Sequence, residues 1–312
     1  MDEGDRQRPG QNHSTIYEVA RHAGVSVATV SRLLNGSGYV GAMSRERIQA
    51  AVAELGYEPN MLARSLVTKR SGMLALLLTD IENPFSAQIA RGVQDVVQAA
   101  GYVPIICNIT DDARSEIETV RLLRRRRIDG IILTPSQGEW HQEVTRGLYE
   151  LCERGLAMVC IGRHLVHPRA DEVSTDTTHG AMAAVAHLTA LGHRRVGFIG
   201  GRISRGVALG RLTGYRAGLA AAGIAVDPAL IREGDLDEES GRRETHVLLE
   251  GARSPTAIFC VNDRMAFGAL AALSTLGLRA PEDVSVVGFD DIPLAALVNP
   301  PLTTVRQPTH DL

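Results

Sequence analysis

The spacing of apolar residues divides the chain into two regimes. In the first, Ile16, Val19, Ala20 and Ala23 recur three and four residues apart, which predicts a helix with one buried stripe. Thr15 precedes it and Glu18 follows three residues later, the spacing of a capping box, so the helix starts at Ile16. Gly24 ends it, because glycine enters the left-handed region at little cost, and Ser26 caps a second helix two residues on. A third helix is expected in "SRERIQAAVAELGY", capped by Ser44, with Ile48, Ala51, Val52 and Leu55 on one stripe. The segment "EPNMLARSLVTKRSG" begins with Pro59 and holds helix formers to Leu66, but it is too short to be a stable helix unaided.

From Met73 the period changes. Unbroken apolar runs such as "MLALLL", "VPIIC", "DGIIL" and "AMVCIG" alternate with amphipathic stretches, and a second series follows with "RRVGFIG", "TAIFC" and "DVSVVGFD". This alternation predicts two doubly wound parallel sheets that meet near residues 160–175. Ligands of paired α/β sheets bind at the C-terminal ends of the strands, so the crevice between the halves is the expected pocket.

The first two helices are joined so tightly that they must cross steeply. Ala20 permits close approach, Gly24 makes the turn and Val30 fills the wedge, and this spacing of four and six is that of a helix-turn-helix. Such a motif puts the N-terminal end of its second helix into the major groove. Val27, Ala28 and Thr29 are short enough for the backbone to approach the bases, and Arg32, one turn on, can present its fork to guanine O6 and N7.

Charge supports a division of labour. The net charge of -3 conceals a head, residues 15–70, that carries seven Lys/Arg against four Glu, while residues 71–312 are net acidic. Four cysteines, Cys107, Cys152, Cys160 and Cys260, lack a C-x-x-C spacing or a His-rich partner and read as buried free thiols, with no metal site. No run of about 18 apolar residues occurs, and the start "MDEGDRQRPGQNHS" is acidic and polar, so neither a membrane span nor a signal peptide is expected and the protein is placed in the cytoplasm. "RRRR" at Arg124 to Arg127 ends a helix before "IDGIIL" and is read as a solvated C-terminal cap. "GFIGGR" lacks both the G-x-G-x-x-G spacing and a Walker lysine.

Three stretches, "TIYEVARHAGVSVATVSRLLNG", "ELGYEPNMLARSL" and "PLTTVRQP", resemble the lactose/galactose repressor family of bacterial transcription regulators, a likeness running from about Thr15 to the C-terminus. The resemblance implies a small all-α helix-turn-helix head joined by a hinge to a sensor like the periplasmic binding proteins, an α/β body of two doubly wound parallel-sheet lobes. The expected divisions are a disordered tail at 1–14, the DNA-binding domain at 15–58, the hinge at 59–72 and the sensor at 73–312. Lobe one would take about 73–163 with a crossing strand at 302–306, and lobe two about 172–290. The candidate DNA-contacting set is Thr15, Tyr17, Ser26, Val27, Ala28, Thr29, Ser31, Arg32 and Asn35, followed by Asn60, Ala63, Arg64 and Leu66. Within it the resemblance places Ala63 to Leu66 in a minor-groove helix, with Leu66 as the wedge that kinks the duplex. Family members continue beyond the crossing strand with a helix and a last strand. A sequence ending at Leu312 is therefore expected to be a truncated form with a loosened first lobe.

In the body, polar residues cluster after the strand-like runs: Asp80, Asn83, Phe85 and Arg163 in the first half, and Arg205, Arg211, Asn262, Asp263 and Asp290 in the second. Asp263 is expected to cap the following helix. Acids, an amide and guanidinium groups above one sheet edge suit bidentate hydrogen bonding to vicinal hydroxyls. The effector-binding set is thus Asp80, Phe85, Arg163, Arg205, Arg211, Asn262 and Asp290, of which the resemblance supports Phe85, Arg163, Arg211, Asn262 and Asp290. Leu236 stands where some members stack a ring on the ligand, which makes a sugar a better fit than a purine.

The reading is a regulator, in the sense of a repressor, that binds a pseudo-palindromic duplex as a homodimer under control of a small metabolite, with no cofactor and no membrane partner. A two-lobed sugar-binding protein without a gene-regulatory role is the alternative, and the helix-turn-helix head counts against it. An enzyme is not expected, because no nucleophile, base and orienting group are grouped in sequence.

Overall fold

The computed structural model describes residues 14–58, 70–109, 113–134, 142–162, 167–201, 206–251 and 254–312. The chain forms two compact units, a head up to Ser71 and a body from Gly72.

Three helices make the head: α1 (Ile16–Ala23), α2 (Val27–Asn35) and α3 (Ala42–Leu55). The capping box holds, with the Thr15 side chain accepting from the Glu18 N–H and the Glu18 carboxylate accepting from the Thr15 N–H at 2.7 Å. Gly24 closes α1 at φ 62°, and the Ser26 hydroxyl accepts from the Thr29 N–H at the start of α2. Val19, Ala20, Ala23, Val30, Val40, Ile48 and Ala51 form the buried core. The third helix starts earlier than expected. Gly41, not Ser44, is its N-cap and offers no side-chain bond; the Gly41 carbonyl instead accepts from the N–H groups of Ser44 and Arg45. Burial of Val40 fixes the chain there, so the first turn forms before the serine is reached.

The body opens with β1 (Met73–Leu78), α4 (Pro84–Ala99), β2 (Val103–Asn108), α5 (Ala113–Arg125), β3 (Gly130–Leu133), α6 (Gln142–Glu153), β4 (Ala157–Ile161) and β5 (Ala170–Val173). These strands make one parallel sheet in the order β2-β1-β3-β4-β5. The second half contains α7 (Thr177–Ala190), β6 (Val196–Gly200), α8 (Gly206–Ala221), β7 (Ile231–Glu233), α9 (Glu238–Glu250), β8 (Ala257–Cys260), α10 (Asp263–Thr275), β9 (Ser285–Asp290) and β10 (Thr303–Arg306). Its sheet is also parallel, ordered β10-β9-β8-β6-β7. Central strands buried on both faces explain the unbroken apolar runs, and Phe198, Tyr215, Phe259 and Phe289 fill the second core. All four cysteines are free; Cys152, Cys160 and Cys260 are buried, while Cys107 is only half-buried.

Two boundaries differ from expectation. The strand at 303–306 pairs with β9, not with lobe one, because Leu302 and Val305 pack on the second core and the Thr304 hydroxyl donates to Asp263. The crossing follows it, where the Thr309 hydroxyl donates to Gln88 on α4 and the His310 backbone lies against Gly92. Conversely, residues 170–173 join the first sheet beside β4, so the second lobe starts with α7 at Thr177 and not near residue 172.

Candidate functional site

In the head, α2 presents Ala28 and Arg32 one turn apart on an exposed face, with exposed Thr15 and Ser26 at the helix starts and Tyr17 at 71% exposure nearby. The Arg32 stem lies by Gly38, and the guanidinium has no carboxylate partner among the described residues, so its fork is available to an acceptor. Ser31 and Asn35 are half-buried and tied to each other, Asn35 Nδ2 donating to Ser31 Oγ at 3.1 Å. Thr29 is half-buried, its hydroxyl 2.8 Å from that of Ser26. Val27 is half-buried, its side chain packed against the head core. Asn60, Ala63, Arg64 and Leu66 lie outside the described residues.

In the body, β8 and β9 deliver Asn262 and Asp290 to one edge, and α8 brings Arg211 beneath them. The Arg211 guanidinium lies 3.9 Å over the Phe289 ring centroid and donates to the Val261 carbonyl and, at 3.2 Å, to Asp290 Oδ1. Gln307 Nε2 donates to the same Oδ1 at 2.7 Å, and Gln307 Oε1 accepts from the Thr175 hydroxyl at 2.7 Å. Burial pushes the Asp290 carboxyl up while the Arg211 charge pulls it down. Asp290 also adopts φ 114°, a strained value for a side-chain-bearing residue. One donor is left over: Arg211 Nε is buried without a partner among the described residues.

Two candidate residues are already engaged. Asn262 caps α10, accepting from the Met265 N–H at 2.8 Å and donating to the Leu236 carbonyl at 2.9 Å. Asp80 pairs at 2.8 Å with Arg264 of the other lobe, whose guanidinium also grips Glu238. Asp80 is therefore a bridge between lobes rather than a free ligand group in this conformation, because Arg264 lies within reach and carries the opposite charge. Asp263 does not cap α10 as expected. It is the first helical residue, buried, accepting from the Ile292 N–H at 2.8 Å and from Thr304, and burial beside Asp290 and Asp291 pushes its carboxyl up to about 7. Gly288 makes that fit possible, since a Cβ there would meet Asp263 Oδ1 at 2.3 Å. Phe85 is half-buried in the first turn of α4, while Arg163 and Arg205 lie outside the described residues. No group of His, Cys, Asp and Glu suited to a metal occurs among the described residues.

Residues 15–60 match the model of bacterial regulatory proteins of the lacI family, and residues 185–312 match a periplasmic binding protein-like domain. The chain is 35% identical to the ribose operon repressor of Haemophilus influenzae over 96% of its own length and 88% of the relative's. This chain belongs to the lacI family. It is thereby a DNA-binding transcriptional regulator with a ligand-responsive body. Among other relatives, the PurR repressor of Photobacterium profundum is 34% identical over 96% of this chain and 88% of that protein. A lac repressor dimer bound to operator and an anti-inducer superposes with a TM-score of 0.84 at 30% identity, covering 96% of this chain and 89% of that one. A family regulator from Enterococcus faecium with bound ribose superposes at 0.68 and 28% identity, covering 77% and 85%.

Sequence reasoning missed Gln307, Thr175 and Arg264 in this lacI-family body. Gln307 stands in the quoted "PLTTVRQP", but nothing in its spacing says that it bonds to Asp290. Arg264 follows two conspicuous polar residues, and its partners lie 184 and 26 positions away.

Proposed function

We propose that this regulator represses transcription by holding a pseudo-palindromic operator as a homodimer in the cytoplasm, and that a sugar bound between its lobes changes that grip. The observation that carries the ligand assignment is the Arg211–Asp290–Gln307 network at the strand ends, a buried acid and guanidinium with one N–H donor unspent. A carboxylate accepting from two donors can take a sugar hydroxyl as a third, and Arg211 Nε can donate to the adjacent oxygen. Phe85 and, from the sequence, Arg163 would complete the side of the first lobe, and Arg205 would add to that of the second. The ribose-bound relative supports a sugar over a nucleobase, as does the aliphatic Leu236. Homodimer formation is supported by apolar exposure along one edge of lobe one, where Val96 on α4 and Val103 and Ile106 on the edge strand β2 lie open.

The test is calorimetry with a panel of pentoses and hexoses, paired with retention of an operator selected from random duplexes. Asp290→Ala should lose the sugar response, at about 1–3 kcal/mol for a buried donor left unpaired, and keep operator binding. Parent-like sugar affinity in that variant would move the ligand elsewhere.

A further inference from the structure

The arginines at 124–127 belong to neither site. They close α5, whose last residue is Arg125, just before the chain enters β3. Arg125, Arg126 and Arg127 are exposed, Arg124 is half-buried, and none of them has a carboxylate partner among the described residues.

Arg127 stands in a costly conformation. Its φ is 59°, and the turn is closed by its N–H on the Arg124 carbonyl and by the Ile128 N–H on the Leu123 carbonyl. At the corresponding turns after α4, α6, α7, α8 and α10 the chain places Gly101, Gly155, Gly192, Gly223 and Gly277, all at positive φ. The α5 turn instead carries a long cationic side chain where glycine is least strained. The helix dipole favours a cation in the last turn, but Arg124 and Arg125 already stand there, and it does not call for arginine at the strained position.

The location gives that arginine a use. β3 pairs with β1, the Asp129 N–H donates to the Met73 carbonyl, and the Gly72 N–H donates to Asp129 Oδ2 at 3.0 Å. The arginine run therefore flanks the point where the chain enters the body, one residue after the unit containing the DNA-reading helices ends at Ser71. Exposed Arg154 before β4 and Arg169 before β5 extend the same N-terminal edge of the sheet. Of the acids there, Asp129 holds backbone and Glu153 faces His167.

We propose that this arginine rim is a second, sequence-independent contact with duplex DNA, made to backbone phosphates while the head reads bases. It rests on the DNA-regulator reading and adds the body as a phosphate-binding surface. The test uses the full chain with Arg125→Gln/Arg126→Gln and, separately, Arg127→Gly. Each binds two duplexes of equal length, one an operator selected with the parent protein and one of mixed sequence, across a salt series. Both variants should bind both duplexes several-fold more weakly, with the log–log salt slope flatter by about 0.9 for each phosphate no longer neutralised and base preferences unchanged. Arg127→Gly should also melt no lower than the parent, since glycine relieves the turn. Parent-like affinity and slope would overturn the rim, as would weaker binding at an unchanged slope. A parent that retains no duplex would instead overturn the regulator assignment itself, and the rim with it.

Discussion

Asp263 shows how much one buried carboxyl contributes to the behaviour of the second lobe. It ties the start of α10 to the turn after β9 and to β10, and all of its bonds are to groups that accept either protonation state with small hydrogen shifts. A carboxyl held near 7 in the folded chain keeps a proton that the unfolded chain, titrating near 4, has released. The folded state therefore binds more protons between about pH 4 and 7, and stability must fall as pH rises through that window, by at most about 1.4 kcal/mol per unit. Asp263→Asn keeps an acceptor for the Ile292 N–H and supplies a donor to Thr304, so it should flatten this dependence and leave the body more stable than the parent at pH 8. Urea unfolding at pH 5 and pH 8 checks it; equal pH slopes for parent and variant would mean that the carboxyl titrates normally. None of this was legible in the sequence, where Asp263 reads as a helix cap. The neighbouring Asn262 takes the cap, and only the long-range packing of β10 gives the acid its partners.

At the scale of elements the sequence is far more informative, and the head shows why. Its caps and wedge are set by residues within a few positions of one another, so Thr15, Gly24, Ser26 and Val30 announce the two helices and their crossing. Misplacement of the α3 start arose where burial, a tertiary effect, overrode a local signal. Two substitutions separate folding from reading in α2. Val30→Ala removes a fully buried side chain at about 2 kcal/mol, a large share of what so small a core supplies, and should lower the head's melting point together with all DNA binding. Arg32→Ala alters an exposed side chain and should leave the melt unchanged while relaxing base preference at one position per half-site, a discrimination of about 1–3 kcal/mol. Selection of bound sequences from a random pool distinguishes the two. Identical preferences for Arg32→Ala and the parent would remove the arginine from the groove. The β10 assignment failed for the complementary reason: a short strand with alternating pattern fits either sheet, and side chains far away in sequence decide between them.

The body as a whole is two lobes that must be able to move if a ligand in the crevice is to be felt elsewhere. Its described interlobe ties are polar: Asp80 to Arg264 near the strand ends, and Thr309 and His310 to α4 along the connector. The Asp80–Arg264 and His310–Asp95 pairs are partly exposed and so weak enough to exchange, as a bistable element requires. Arg264 is the pivotal one, since its other nitrogens hold Glu238 within its own lobe and leave Nη1 aimed at Asp80. Asp80 in turn accepts from the Glu82 N–H at 2.9 Å, so the bridge orders the loop that leads into α4 and Phe85. Arg264→Gln should loosen this loop without unfolding either lobe, because the pair is partly exposed and contributes roughly 0.2–1 kcal/mol. The amides of Ile81 and Glu82 should then exchange with solvent up to about fivefold faster than in the parent, and raised salt should reproduce part of that change in the parent alone. Exchange at those amides that is insensitive to both the substitution and salt would show that the lobes are held together by something other than this bridge.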